Sequence, residues 1–180
     1  MKKNMCQRAL FVFAAAAALT AIAVQADDRA DSQEAVSSFL STDPSIQKFI
    51  DESAGYAVFP SVGKGGFVVG GARGKGLLYE KKIVTGDATM TQASIGAQAG
   101  GQSFAEIIFF ETPAAVSDFK TGKFEMSADV SAVAARQGAA QSAKYKNGVA
   151  VFVLPKKGLM VQASIGGQKF KFEPLQPTGH

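Results

Sequence analysis

The chain has 180 residues with 19 Lys+Arg against 15 Asp+Glu, one histidine, one cysteine and no tryptophan. His180 by itself, at the last position, supplies neither a triad nor a histidine metal site, and Cys6 by itself supplies no cysteine zinc site. With 47% hydrophobic residues, the length suits one domain held by its own core.

Residues 1–26 read as a secretory leader. Lys2, Lys3 and Arg8 form a basic start, Ala9 to Val24 an alanine-rich apolar run, and Val24-Gln25-Ala26 a small-residue cleavage site before Asp27-Asp28. The run is short for a membrane span, which wants about 20 apolar residues. Cleavage near Ala26 predicts a periplasmic or secreted protein with no cysteine, hence no disulfide and no thiol nucleophile. It also removes three cations and lowers the net charge from +4 to +1, too little to suggest a nucleic-acid partner.

Segment 27–54 is expected to be helical. Ala35, Val36, Phe39 and Leu40 fall on one face between Asp31 and Leu40. Asp43-Pro44 then restarts the chain as N-cap and first helical residue, with Ile46, Phe49 and Ile50 following and a stop near Gly55. The acidic balance of this segment favours a cover for a sheet over a lipid-surface helix.

From Gly55 to Glu80 the chain reads GYAVFPSVGKGGFVVGGARGKGLLYE. Apolar runs at Tyr56–Phe59, Phe67–Val69 and Leu77–Tyr79, bounded by glycine clusters, predict strands joined by tight turns. Twelve of the 19 glycines lie between Gly55 and Gly101, so the sharply turning sheet is placed there. Thr85-Gly86-Asp87 is read as a hairpin turn, Ala88 to Ala99 as a strand with one wet face, and Ile107–Phe110 as a strand covered on both faces. Thr112-Pro113 opens a short helix through Phe119. The alanine- and serine-rich stretch 128–143 fits strand or helix; Val149–Leu154 and Leu159–Glu173 read as strands about a Pro155–Gly158 turn. Residues 174–180 are assigned as a tail. Gln92–Gly96 recurs as Gln162–Gly166, a short internal echo without a regular period.

Neither glycine cluster has phosphate-loop spacing. Glu106 and Glu111, the best carboxylate pair, sit five apart on one predicted strand and point to opposite faces. No catalytic constellation, metal site or cofactor is implied, and no enzyme is expected. Charge is distributed unevenly. Segment 27–54 carries −5, segment 60–82 carries +4, and segment 144–172 holds six lysines and no acid. Should the two basic segments meet in the fold, one region would suit anions. The candidates for head-group binding are Lys64, Arg73, Lys75, Lys81 and Lys82 from the first, with Lys156 and Lys157 from the second. Phe67, Leu77 and Phe152 are candidate acyl contacts, although core packing suits each of them better.

The stretch Gly55–Glu80, followed by TQASIGAQAGGQSFAEIIFF and NGVAVFVLPKKGLMVQASIGGQKFKF, resembles the SYLF domain family from the Asp31 helix to about Phe172. The AVFP turn, the KGGF and GKG glycine pairs and the run from AGGQSF to IIFF stand in the family's order. The resemblance implies a non-enzymatic lipid-binding module for phosphoinositides or other anionic lipids, with residues 55–173 as its β-rich core. Eukaryotic members also bind actin. An exported chain meets no actin, so the expected partner is an anionic phospholipid or membrane surface of the cell envelope, with an envelope protein as the alternative. The expected fold is α+β and predominantly antiparallel β: a twisted glycine-rich sheet or barrel-like core, with two N-terminal helices and one or two short helices packed on it. An outer-membrane barrel suits the sequence less well, because IIFF and VAVFVL do not alternate lipid-facing with polar residues.

Overall fold

The computed structural model describes residues 27–63, 71–93, 103–124, 126, 130–156 and 167–175. The leader assigned to 1–26, the Phe67–Val69 run and most of the internal echo lie outside the described residues.

A helix over residues 27–42, α1, buries Ala35 and Phe39 at the spacing of one helical face. Asp43 breaks it in extended conformation and caps a 3-10 turn at Pro44–Ile46 that runs into α2 (Gln47–Glu52). The Asp43 carboxylate is buried and fully used. One oxygen accepts from the Ser45 N–H and hydroxyl, and the other accepts from the Ala140 N–H at 2.8 Å, 97 residues away. Burial works against its charge, but these donors prevail and hold the carboxyl below its usual range.

Seven strands follow among the described residues: β1 (Gly55–Gly63), β2 (Gly71–Glu80), β3 (Ile83–Ala93), β4 (Phe104–Phe110), β5 (Val133–Ala134), β6 (Val149–Pro155) and β7 (Gln168–Pro174). They form one sheet in the order β5-β6-β4-β1-β2-β3-β7, antiparallel except for the β5–β6 pair. Helix α3 (Pro113–Lys120) is capped by Thr112 and has Pro113 in its first turn, as the sequence signals it. The ambiguous stretch 128–143 contributes both a two-residue strand, β5, and a single helical turn, α4 (Ala139–Ser142). The fold is α+β, and its sheet is not closed into a barrel.

The hairpin expected at Thr85-Gly86-Asp87 is elsewhere. Glu80 pairs with Ile83, so the turn is Lys81-Lys82, both left-handed at φ 51° and 66°. Thr85 is instead an extra residue in β3, because Leu78 opposes Gly86 while Tyr79 opposes Val84.

Alternation along the strands divides the apolar side chains between two clusters. On the helix side, Phe49 of α2 packs on Phe109, Tyr145 and Phe152, with ring centroids 5.1–5.5 Å away. On the other side α3 sends Phe119 among Phe110, Phe124 and Phe170. That second side is concave. Glu106 of β4 accepts a hydrogen bond from the Gln168 amide of β7 at 3.0 Å, although three strands lie between them in the sheet. Four strand spacings would separate the two by about 19 Å on a flat sheet. The sheet therefore coils until its β7 wing faces β4 across the interior.

Coiling relies on close backbone approach at β2. A Cβ on Gly76 would stand 2.1 Å from the Val58 carbonyl oxygen and 2.7 Å from the Phe59 ring, beside the irregularity in β1 between Val58 and Ser61. Gly76→Ala is expected to destabilise the fold by about 3 kcal/mol, since the obstacle is backbone and cannot rotate aside. A urea midpoint indistinguishable from wild type would show that β1 and β2 separate freely.

Candidate functional site

Ladder register places the cations. Antiparallel residues directly opposite one another project to the same side. Arg73 of β2 opposes Thr91 of β3, which opposes Lys169 of β7. Two residues along, Lys75 opposes Thr89, which opposes Lys171. The four cations thus stand at the corners of a patch about 10 Å across the strands and 7 Å along them, with threonines between. All four are exposed, on the same side of β2 as Leu77 and Tyr79, which lie under the helices. Thr91 Oγ1 contacts the Lys169 carbonyl oxygen at 3.5 Å.

The next row, Leu77–Asp87–Glu173, is apolar and acidic and bounds the patch. Desolvation, with the neighbouring Asp28 and Glu173, pushes the Asp87 carboxyl above its usual range despite Lys75 and Arg29. Glu173 is held low by the Lys171 ammonium, 2.5 Å away, in an exposed pair. Charge therefore changes sign along β7 within a few residues: Lys169 and Lys171 are basic, Glu173 acidic.

The five described residues among those predicted from the sequence fall in three places. Arg73 and Lys75 belong to the patch. Lys81 and Lys82 form the turn at the opposite end of β2, and Lys82 is bound to Asp51 at 2.7 Å. One continuous rim joining these four is thus not what the fold makes. Lys156 is exposed just past β6, its N–H on the Ser103 carbonyl, at the same end of the sheet as Arg73 but separated from β2 by β4 and β1. Lys64 and Lys157 lie outside the described residues. Lys169 and Lys171 were not among the predicted residues. Their signal was present in Lys169-Phe170-Lys171-Phe172, whose two-residue period puts both lysines on one side of a strand and Phe170 in the core.

Leu77 and Phe152 are buried in the helix-side cluster, and Phe67 is outside the described residues. Of the grooves among the described residues, one of about 830 Å³ lies between α2 and α4, lined by Lys48, Phe49, Glu52, Glu111, Lys144 and Tyr145. Burial, then Glu111 and Glu52, pushes the Tyr145 phenol up to about 12. Another, of about 540 Å³, runs beside α1 over Val36, Leu40, Tyr56 and Tyr79 and ends at Lys82. Neither is lined by Arg73, Lys75, Lys169 or Lys171. Among the described residues there is no group of three or more His, Cys, Asp and Glu side chains placed to hold a metal.

Residues 91–174, from β3 to β7, match the family model described as Ysc84, Las17-binding protein actin regulator. The chain is also 34% identical over 130 residues to beta cell expansion factor A of Aeromonas veronii, covering 71% of this chain and 49% of that protein. The chain belongs to the SYLF (Ysc84) family. It spans about half the length of the curated relative it matches. The family model covers Lys169 and Lys171, whereas Arg73 and Lys75 precede it, so the basic patch joins the matched SYLF residues to the strand before them. SYLF membership supports a lipid- or actin-binding module, and the family is one of binding domains.

Proposed function

We propose that this SYLF protein is an exported lipid-binding module that docks on anionic phospholipid through Arg73, Lys75, Lys169 and Lys171. The observation that carries the reading is the pair of cation–threonine–cation rows across β2, β3 and β7. Two ammonium or guanidinium groups flanking a hydroxyl offer a phosphate several donors at once. Neither groove described above is lined by these four residues, and the reading takes docking to be on the surface of the bilayer. Among those residues, too, no helix is long and apolar enough to cross a membrane. Export rests on the leader-like start of the sequence and puts the ligand in the cell envelope.

Co-sedimentation of the cleaved protein with vesicles tests this. Binding to vesicles containing phosphatidylglycerol is expected to fall as salt rises, and binding to pure phosphatidylcholine to be weak throughout. Binding indifferent to both lipid charge and salt would overturn the electrostatic reading.

A protein partner is the second reading. It is favoured by the outer edge of β7, which pairs with nothing beyond β3 among the described residues and offers backbone groups to an incoming strand. An envelope protein suits an exported chain better than actin does. Capture of one defined protein by a chain without vesicle affinity would prefer it.

A further inference from the structure

Glu106 is fully buried, yet neither opposing residue offers it a partner: it is flanked by Phe59 on β1 and Val153 on β6. The cluster on that side is apolar, with Met90 from β3, Phe119 from α3 and Phe170 from β7, and the polar Gln92 of β3 opposes Gln168. Of the other ionisable groups on that side of the sheet among the described residues, Glu80 of β2 and Lys120 of α3 bind each other at 2.6 Å, while Asp118 of α3 and Lys123 after it are exposed. Among the described residues the one hydrogen-bond partner of the Glu106 side chain is Gln168, whose Nε2 donates to Oε2 at 3.0 Å. Two oxygens are left over, Glu106 Oε1 and Gln168 Oε1, both buried and both without a hydrogen bond among the described residues.

A carboxylate and an amide oxygen can only accept, so an ionised Glu106 would leave two acceptors unsatisfied and a charge facing a single neutral donor. One proton on Glu106 Oε1, donated to Gln168 Oε1, satisfies both oxygens and closes a two-bond acid–amide ring. We propose that folded Glu106 is a neutral carboxylic acid, that it and Gln168 form a clasp holding β7 to β4 across the interior, and that loss of the proton to water opens the clasp. The inference stands independently of lipid binding.

Burial raises the carboxyl from 4.5 to about 7 and the Gln168 bond opposes this, so the clasp titrates near neutrality. The folded state binds this proton more tightly than the unfolded chain. Its contribution to stability is therefore full below pH 4.5 and lost as pH rises through about 7.

The full chain is compared with Glu106→Gln, whose second amide can donate to Gln168 Oε1 as the acid does, at pH values from 5 to 9. At pH 6, where ordinary carboxyls are ionised, wild type is expected to show the infrared carbonyl band of one protonated carboxylic acid more than the variant, lost as pH passes neutrality. Relative to the variant, its unfolding equilibrium constant should rise by about a hundredfold between the ends of the window. Exchange of the β7 amides, corrected for intrinsic rates, should quicken with pH in wild type but not in the variant. If Glu106→Gln does not fold, the infrared titration of wild type still decides. Absence of that additional acid band at pH 6, or β7 exchange that follows the same pH course in both proteins, overturns the proposal.

Discussion

Replacing Arg73, Lys75, Lys169 and Lys171 together by glutamine is expected to weaken binding to anionic vesicles about a thousandfold at low salt. Each cation near an anionic surface contributes about 1 kcal/mol, so four contribute about 4, and 1.4 kcal/mol is a factor of ten. All four side chains are exposed, and the ion pair lost with Lys171 joins two exposed partners, so the urea midpoint should hardly move. The informative control is Lys81→Gln with Lys82→Gln. These residues occupy the turn at the far end of β2, away from the patch. Their loss should weaken binding less than tenfold. If the turn variant lost as much affinity as the fourfold variant, the bilayer would be meeting a different side of the molecule.

Truncating Phe119 to alanine is expected to destabilise the protein by about 3–5 kcal/mol, the largest single effect anticipated in the core. The ring is fully buried and lies 5.0 Å from Phe110, 6.1 Å from Phe124 and 5.3 Å from Phe170. Its neighbours sit on β4, on the segment after α3 and on β7, so no one of them can collapse into the vacated space without moving an element. The loss should show as a lower urea midpoint with an unchanged slope. Ile83→Ser is the contrast, because that side chain is 68% exposed and its removal should leave the midpoint in place. A Phe119→Ala midpoint equal to wild type would mean that the aromatic cluster packs around α3 without needing it.

Features with local causes were legible in the sequence. Asp43-Pro44 and Thr112-Pro113 mark helix starts because a capping oxygen and a fixed φ act within one turn. Ile107–Phe110 announces a doubly covered strand because no position in it is polar, and β4 is buried along its whole length. The turn at Lys81-Lys82 was hidden, since two lysines occupy left-handed positions where asparagine and glycine are the usual signal. Thr85-Gly86-Asp87 carried that signal and became a bulge, because pairing with β2 fixed the register on either side. Stretch 128–143 had too little apolar contrast to choose a period, and it forms one short piece of each kind. The patch was half visible. Arg73 and Lys75 were chosen from their own segment, but joining them to Lys169 and Lys171 requires the pairing of β3 with β7, which no local pattern states. Glu106 and Gln168, 62 residues apart, are further still from any local rule.

The patch draws half its charge from β2 and half from β7, with β3 holding them together. A chain folding progressively from its N-terminal side would expose Arg73 and Lys75 early, yet the fourfold grouping is finished only when the last described strand is seated. Until then such a chain has only half of the patch's cations in place. On the proposed docking, attachment waits for β7, and the module would meet a bilayer already folded.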